Sequence, residues 1–141
     1  MGIPFPSEAW LKALEDQLNQ SQTYRDIAKN WEGDMCVVLD PEGDLKEPVG
    51  MYLDLWHGEC RAARVLAAGE LPVAAFVLRA PFSRFVAILQ GKLDPITAMM
   101  TGRLSVKGNM AVMMRSIPTV LEFVRQCRAV DTDFVGSGVG A

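Results

Sequence analysis

Phe85-Val86-Ala87-Ile88-Leu89-Gln90-Gly91-Lys92-Leu93-Asp94-Pro95, continued by Ala98 and then by Gly102-Arg103-Leu104-Ser105-Val106-Lys107-Gly108-Asn109, holds three elements in succession. Phe82, Phe85, Val86 and Leu89 recur at the three-and-four spacing of an amphipathic helix, and Gly91 stands where a helix end favours a left-handed residue. Asp94-Pro95 then combines an N-cap with a proline at the first helical position, which predicts a second, short helix over Ile96 to Thr101 that Gly102 closes. Arg103 to Lys107 alternates, with Leu104 and Val106 inward against three polar residues, and reads as a strand with one wet face.

Working outward toward the C-terminus, Asn109 opens a methionine-rich turn, Met110 to Met114. Ser116 and Pro118 then start a helix expected to carry Ile117, Val120, Leu121 and Val124 inward. From residue 129 a tail ending in glycine and serine is expected to be flexible. Toward the N-terminus, Val73 to Arg79 predicts a strand with Ala74, Phe76 and Leu78 on one side, closed by Pro81. Before it, Val49 to His57 alternates as a strand, with Met51, Leu53, Leu55 and His57 on one face, Gly58-Glu59 is a Gly-X hairpin turn, and Cys60 to Leu66 is the expected returning strand. Met35 to Leu39 is a further β-prone run, stopped by Asp40 to Asp44. Two helices lead: one from Ser7 to Asn19 with Trp10, Leu11, Leu14 and Leu18 on a face, and one capped by Ser21 with Tyr24, Ile27, Ala28 and Trp31 at helical spacing.

A chain of 141 residues, half of them hydrophobic and 22% charged, has room for one domain with a real core. The net charge of -3 and scattered basic residues argue against nucleic-acid binding, which needs clustered Lys and Arg. No apolar run approaches the ~18 residues of a transmembrane segment, and the N-terminus lacks the layout of a secretion signal. Pro6 stands where a myristoylation motif wants Ser or Thr. Cys36, Cys60 and Cys127 are an odd number at wide spacing, as free thiols of a reducing compartment would be, so the cytoplasm is the expected location.

The order of these pieces carries a resemblance. The helix ending in hydrophobic-x-Gly, the Asp94-Pro95 helix, the Gly-basic-hydrophobic-x-hydrophobic-x-Gly-Asn run from Gly102 to Asn109, and Trp31-Glu32-Gly33-Asp34 leading into a strand meander together resemble the sterol carrier protein 2 (SCP2-like) lipid-transfer domain, prokaryotic stand-alone type, over residues 7–128. The resemblance implies an α+β fold: a five-stranded, mostly antiparallel sheet covered by helices, with an internal apolar tunnel. It also implies non-catalytic binding and transfer of a fatty acid, fatty acyl-CoA, sterol or similar ligand, and therefore no enzyme and no cofactor. The chain departs from the eukaryotic carrier in its C-terminal tripeptide and its longer N-terminus, which weighs against sterol and against a peroxisome.

Five of the eight methionines, Met99, Met100, Met110, Met113 and Met114, fall in the region that the resemblance sets beside the tunnel. Thioethers adapt to varied apolar shapes, and they also fill irregular cores; both readings stand. With them, Phe76, Leu78, Phe82, Phe85, Leu89, Ile96, Leu104 and Leu121 are the expected ligand-binding residues. A dry pocket of ~300 Å³ would cost roughly 7 kcal/mol, so copurifying lipid or strong stabilisation by it is expected.

His57 and Cys60 are too few for zinc and lack a third partner for nucleophilic catalysis. Asp40, Asp44, Asp54 and Glu59 fall at turns or polar strand faces, and no phosphate loop follows Gly102 to Gly108. Arg103 and Lys107 could meet a coenzyme A phosphate or an anionic membrane, or be simply solvated. The expected partner is therefore an apolar small molecule or lipid, with transient membrane or partner-enzyme contact. The alternative function is an interaction or substrate-delivery module for a partner enzyme. A thioester-active enzyme is a third reading, which would need a nucleophile with a base beside it.

Overall fold

A computed structural model describes residues 2–43 and 45–134. Asp44, read above as a turn acid, and the part of the expected tail from residue 135 onward lie outside the described residues. In chain order the elements are β1 (Ile3–Pro4), α1 (Glu8–Gln20), α2 (Gln22–Ile27), β2 (Met35–Asp40), β3 (Val49–Trp56), β4 (Glu59–Val65) and β5 (Phe76–Pro81). They continue with α3 (Phe82–Leu89), α4 (Pro95–Met100), β6 (Ser105–Lys107), α5 (Met110–Arg115), α6 (Ile117–Ala129) and β7 (Thr132–Asp133). The short β7 pairs in parallel with β1, so the chain just after α6 is held against the N-terminus.

Five strands form one sheet in the order β4-β3-β2-β5-β6. Three pairings are antiparallel, and β2 with β5 is parallel. The parallel pair arises because residues 66–75 do not turn back as a hairpin. They strap the outer face of the sheet, over the row formed by Gly50, Val38 and Arg79. Val73 to Ala75, expected to begin a strand, belong to this strap, and β5 starts only at Phe76.

Four helix-start signals act as read, while Ser116 precedes α6 without a side-chain cap bond. Ser7 accepts from the Trp10 amide, Ser21 from Tyr24, Asp94 from Thr97, and Asn109 from Ala111 and Val112, so each start satisfies free N–H groups. The start of α3 is served from afar, because the Glu42 carboxylate accepts from the Ser83 amide at 2.7 Å. The Ser83 side chain and then this amide bond draw the Glu42 carboxyl below its usual range.

α1 lies along the edge strand β4 and uses both its faces. Trp10, Leu11, Leu14 and Leu18 are buried in the core. Its polar side occupies backbone groups that β4 would leave open: Asn19 bonds both the N–H and the C=O of Cys60, Lys12 donates to the Ala63 carbonyl, and Glu8 accepts from the Val65 amide. An open strand edge is a template for aggregation, and α1 covers this one.

Three expectations need correction. The β3–β4 turn is His57-Gly58, not Gly58-Glu59: both residues have positive φ, 51° and 81°, and Trp56 pairs with Glu59. That is a two-residue turn of the mirror-image type I class, whose hand suits twisted strands. A Cβ on Gly58 would stand 2.6 Å from the Arg25 carbonyl oxygen, which is why glycine sits there. His57 consequently leaves the face of Met51, Leu53 and Leu55 and is exposed. Second, α2 ends at Ile27, which is exposed, while Trp31 reaches the core from beyond the helix and donates from Nε1 to the Gly33 carbonyl.

Third, Leu121 is 42% exposed, and α6 instead buries Glu122 and Gln126. Gln17 of α1 donates to Gln126, which donates to Glu122, which also takes the Arg125 guanidinium. The network gives buried Glu122 and Gln126 their partners and holds the Glu122 carboxyl below its usual range, Arg125 being the main cause. It also sets the rotation of α6, so Val120, Phe123 and Val124 face the sheet.

Candidate functional site

Between the inner face of the sheet and the helices lie two apolar cavities, each of about 70 Å³. The first is roofed by Leu55 and Leu78 of the sheet and floored by Met99, Leu104, Met113 and Val120. The second sits at the α1 end, between Leu14, Leu53, Phe85 and Leu89, with the Cys127 side chain in its wall. They share four residues, Val37, Ile88, Phe123 and Val124, which form a partition between them. Two small spaces divided by a wall thus stand where the resemblance implies one continuous passage.

Sequence reasoning and geometry meet in part. Leu78, Met99, Leu104 and Met113 line the first cavity, and Phe85 and Leu89 the second. Phe76 and Phe82 stand one layer behind: Phe76 packs on Trp31 of the first cavity at 5.2 Å between ring centroids, and Phe82 stacks on Phe5 of the second at 6.1 Å. Ile96 and Met114 are half-buried and touch neither space. Met100, Met110 and Leu121 are exposed on the outside. Lining residues that the spacing did not mark include Val37, Ile88 and Phe123, which with Val124, expected inward, lie between the two spaces. Val37 and Ile88 stand in the apolar runs Met35 to Leu39 and Phe85 to Leu89, and Phe123 in the last helix, but helical or strand period alone does not say which residue meets a void.

Few polar atoms enter this interior. Thr119 of the first cavity spends its hydroxyl on the Ile27 carbonyl, joining α6 to the end of α2. Burial pushes the Tyr24 phenol up, so it stays a neutral O–H. The Cys127 thiol is likewise pushed up by burial, and Cys60, raised to about 12 by burial and then by Glu15, donates to the Ala62 carbonyl. Thiols held this far from ionisation are inert hydrophobes rather than nucleophiles.

The sequence's other candidate chemistry lies outside the interior. His57 Nε2 meets Glu32 Oε2 at 2.6 Å on the exposed hairpin end. Asp54 binds Arg61, Asp40 binds Arg79, and Asp94 caps α4, which holds its carboxyl below the usual range. Among the described residues no group of three His, Cys, Asp or Glu side chains is placed to hold a metal ion, and no helix is long and apolar enough to cross a membrane.

A family model described as the SCP-2 sterol transfer family matches residues 8–120. Among solved structures, one described as the crystal structure of sterol carrier protein 2 is 37% identical, with 88% of this chain and 97% of that one covered and a TM-score of 0.80. A solution structure from Thermus thermophilus, described as a conserved hypothetical protein and possible sterol carrier, is 35% identical, with 94% and 92% covered and a TM-score of 0.82. The apo form of sterol carrier protein 2 from Yarrowia lipolytica, at 20% identity, 84% and 88% coverage and a TM-score of 0.56, shares the fold. No curated protein matches the chain.

Proposed function

Because this chain belongs to the SCP-2 sterol transfer family, we propose that it is a non-catalytic carrier that binds a fatty acid, a fatty acyl-CoA, a sterol or a similar apolar molecule between sheet and helices, and delivers it. The observation that carries this reading is the paired apolar cavities under the sheet. We place the ligand against Leu78, Met99, Leu104 and Met113 in the first cavity and Phe85 and Leu89 in the second. Three free, buried thiols are consistent with work in the cytoplasm.

Neither cavity takes a long chain as it stands. A buried void of ~150 Å³ is what admits benzene, and ligand pockets usually begin at ~300 Å³. Binding therefore requires the partition to yield, with Phe123 and Val124 swinging aside or α6 moving outward so that two spaces become one. The energies permit it. Left dry, two cavities of about 70 Å³ would cost the protein about 3 kcal/mol without a ligand. A long acyl chain gains on the order of 10 kcal/mol at ~0.8 kcal/mol per buried methylene, before ordering costs. The difference exceeds the ~1 kcal/mol of an off-rotamer aromatic side chain by far.

Native mass spectrometry of the protein as purified, with solvent extraction of anything bound, tests the reading directly. A discrete adduct whose mass matches an extracted apolar molecule is the expected result. A ligand-free preparation whose melting temperature ignores a panel of acyl chains and sterols would overturn it.

A further inference from the structure

An ionised fatty acid finds nothing in the interior to meet its charge. Among the described residues no Lys, Arg or His lines either cavity, and the hydroxyl and thiol groups in the walls, Tyr24 and Thr119 of the first and Cys127 of the second, are neutral. A carboxylate left unpaired in such surroundings is heavily disfavoured, so an acyl chain enters with its charged end kept at a mouth.

A pocket of about 270 Å³ opens to the surface between the ends of α3 and α6. It shares Leu89 and Cys127 with the second cavity, so these side chains lie between the two spaces. Leu89 is half-buried at the end of α3, and Cys127 is buried in the last turn of α6.

Arg128 stands in the wall of this pocket. Its guanidinium donates from Nε at 3.0 Å and from Nη2 at 2.8 Å to the Ile88 carbonyl. Ile88 is a wall residue of both cavities, so the cation is pinned at the threshold of the apolar interior. Those bonds occupy two of the five guanidinium N–H donors. Among the described residues no carboxylate is bonded to Arg128, whereas Arg61, Arg64, Arg79 and Arg125 each hold one. Two acids stand near it. Asp94 feels its charge but is engaged with Thr97 as the cap of α4, and exposed Asp131 lines the pocket without bonding to Arg128. The Thr132 hydroxyl, also in the pocket wall, already accepts from Trp10 and donates to the Val130 carbonyl.

We propose that this pocket is the mouth of the second cavity and a carboxylate site, where a fatty acid lies with its head on Arg128 and its chain running between Leu89 and Cys127 into the interior. The inference rests on the carrier reading, and its test separates the two. The planar fork of a guanidinium matches a carboxylate, and the tie to Ile88 fixes the fork before a ligand arrives, which lowers the ordering cost of binding. Rotation of Leu89 opens the way from pocket to cavity, and the partition then stands further along the chain's path.

Dodecanoate and 1-dodecanol, equal in chain length, are titrated separately into the full chain at pH 8, with tryptophan fluorescence as the readout because Trp10 and Trp31 are wall residues of the cavities. The parent is expected to bind both. Arg128→Gln should lower the affinity ratio of acid to alcohol by about tenfold, the loss of a charge-assisted hydrogen bond. Arg128→Lys, which keeps the charge without the fork, should recover part of it. Asp131→Asn leaves the bonds of Arg128 to Ile88 in place and should raise the ratio by about twofold, since a like charge is removed from an exposed site. Arg115→Gln on α5, a residue of neither cavity nor this pocket, should keep the parent's ratio. The same ratio in the parent, R128Q and D131N would overturn the inference and leave the carrier reading standing. An equal fall in R128Q and R115Q would overturn it too, by giving the effect to overall charge. A parent that binds neither compound would overturn both readings.

Discussion

The two faces of the sheet are stabilised by different means. The outer face is bolted. Asp34 accepts from the Tyr52 hydroxyl at 2.8 Å and from the Ala75 amide at 2.6 Å, Arg79 binds Asp40, Arg61 binds Asp54, and Arg64 both grips Glu70 of the strap and covers the Tyr52 ring. Among the described residues the side chains of the inner sheet face are apolar and make no such directional bonds. It meets side chains that pack without filling the space, around a partition of Val37, Ile88, Phe123 and Val124. Hydrogen bonds and ion pairs specify one arrangement, whereas dispersion and burial tolerate several of similar energy. On the carrier reading proposed above, the rigid chemistry lies on one face and the yielding chemistry on the other.

The largest expected difference between the faces is in Phe123→Ala. Removing the partition ring enlarges an unfilled interior and should cost about 3 kcal/mol in urea denaturation of the ligand-free protein. Saturating long-chain fatty acid should restore much of that loss by filling the joined space; an equal loss with and without ligand would mean that Phe123 is ordinary core. Next comes Asp34→Ala on the outer face, which removes two charge-assisted bonds and should cost about 2 kcal/mol with no recovery on adding ligand. Recovery there would break the division of labour between the faces.

Smaller still is the effect of acid on the strap. Arg64 and the Ala67 amide lower the Glu70 carboxyl from 4.5 to about 2. Since the folded value lies below the unfolded one, the contribution of Glu70 is complete above pH ~4.5 and is lost as pH falls through about 2. Amide exchange within residues 67–75 should therefore stay slow down to the ordinary carboxylate range and quicken below it, and Glu70→Gln should remove that dependence. The smallest effect is expected for Leu121→Gln, within about 0.5 kcal/mol of the parent in the same denaturation assay, because Leu121 faces solvent one position from the buried Glu122.

Much of the scaffold could be read locally. Ser7, Ser21, Asp94-Pro95 and Asn109 mark helix starts because an N-cap acts on amides two or three residues away, and the buried face of Trp10, Leu11, Leu14 and Leu18 follows from helical period. The failures share a cause. Hydrophobicity alone puts Leu121 inward, while the network that buries Glu122 and Gln126 draws partly on Gln17, far away in the chain. The bulge opposite Asp54 and Leu55, where β3 pairs with Ala62 and then Cys60, likewise leaves no mark in composition. Six of the thirteen expected binding residues line the cavities; Met100 and Met110, expected there on residue type alone, stand on the surface.

By itself, then, the sequence determined which segments become helices and strands, which faces are apolar, and, through the Gly91 to Asn109 pattern, to which family the order belongs. These are properties of neighbours along the chain, set by capping, period and turn chemistry. Tertiary structure decided the rest: the parallel β2–β5 pairing made by the strap, the rotation of α6, and the division of the interior into two small cavities rather than one passage. A cavity is a mismatch in volume between elements far apart in sequence, and no local pattern encodes how much of the space between them the side chains leave unfilled.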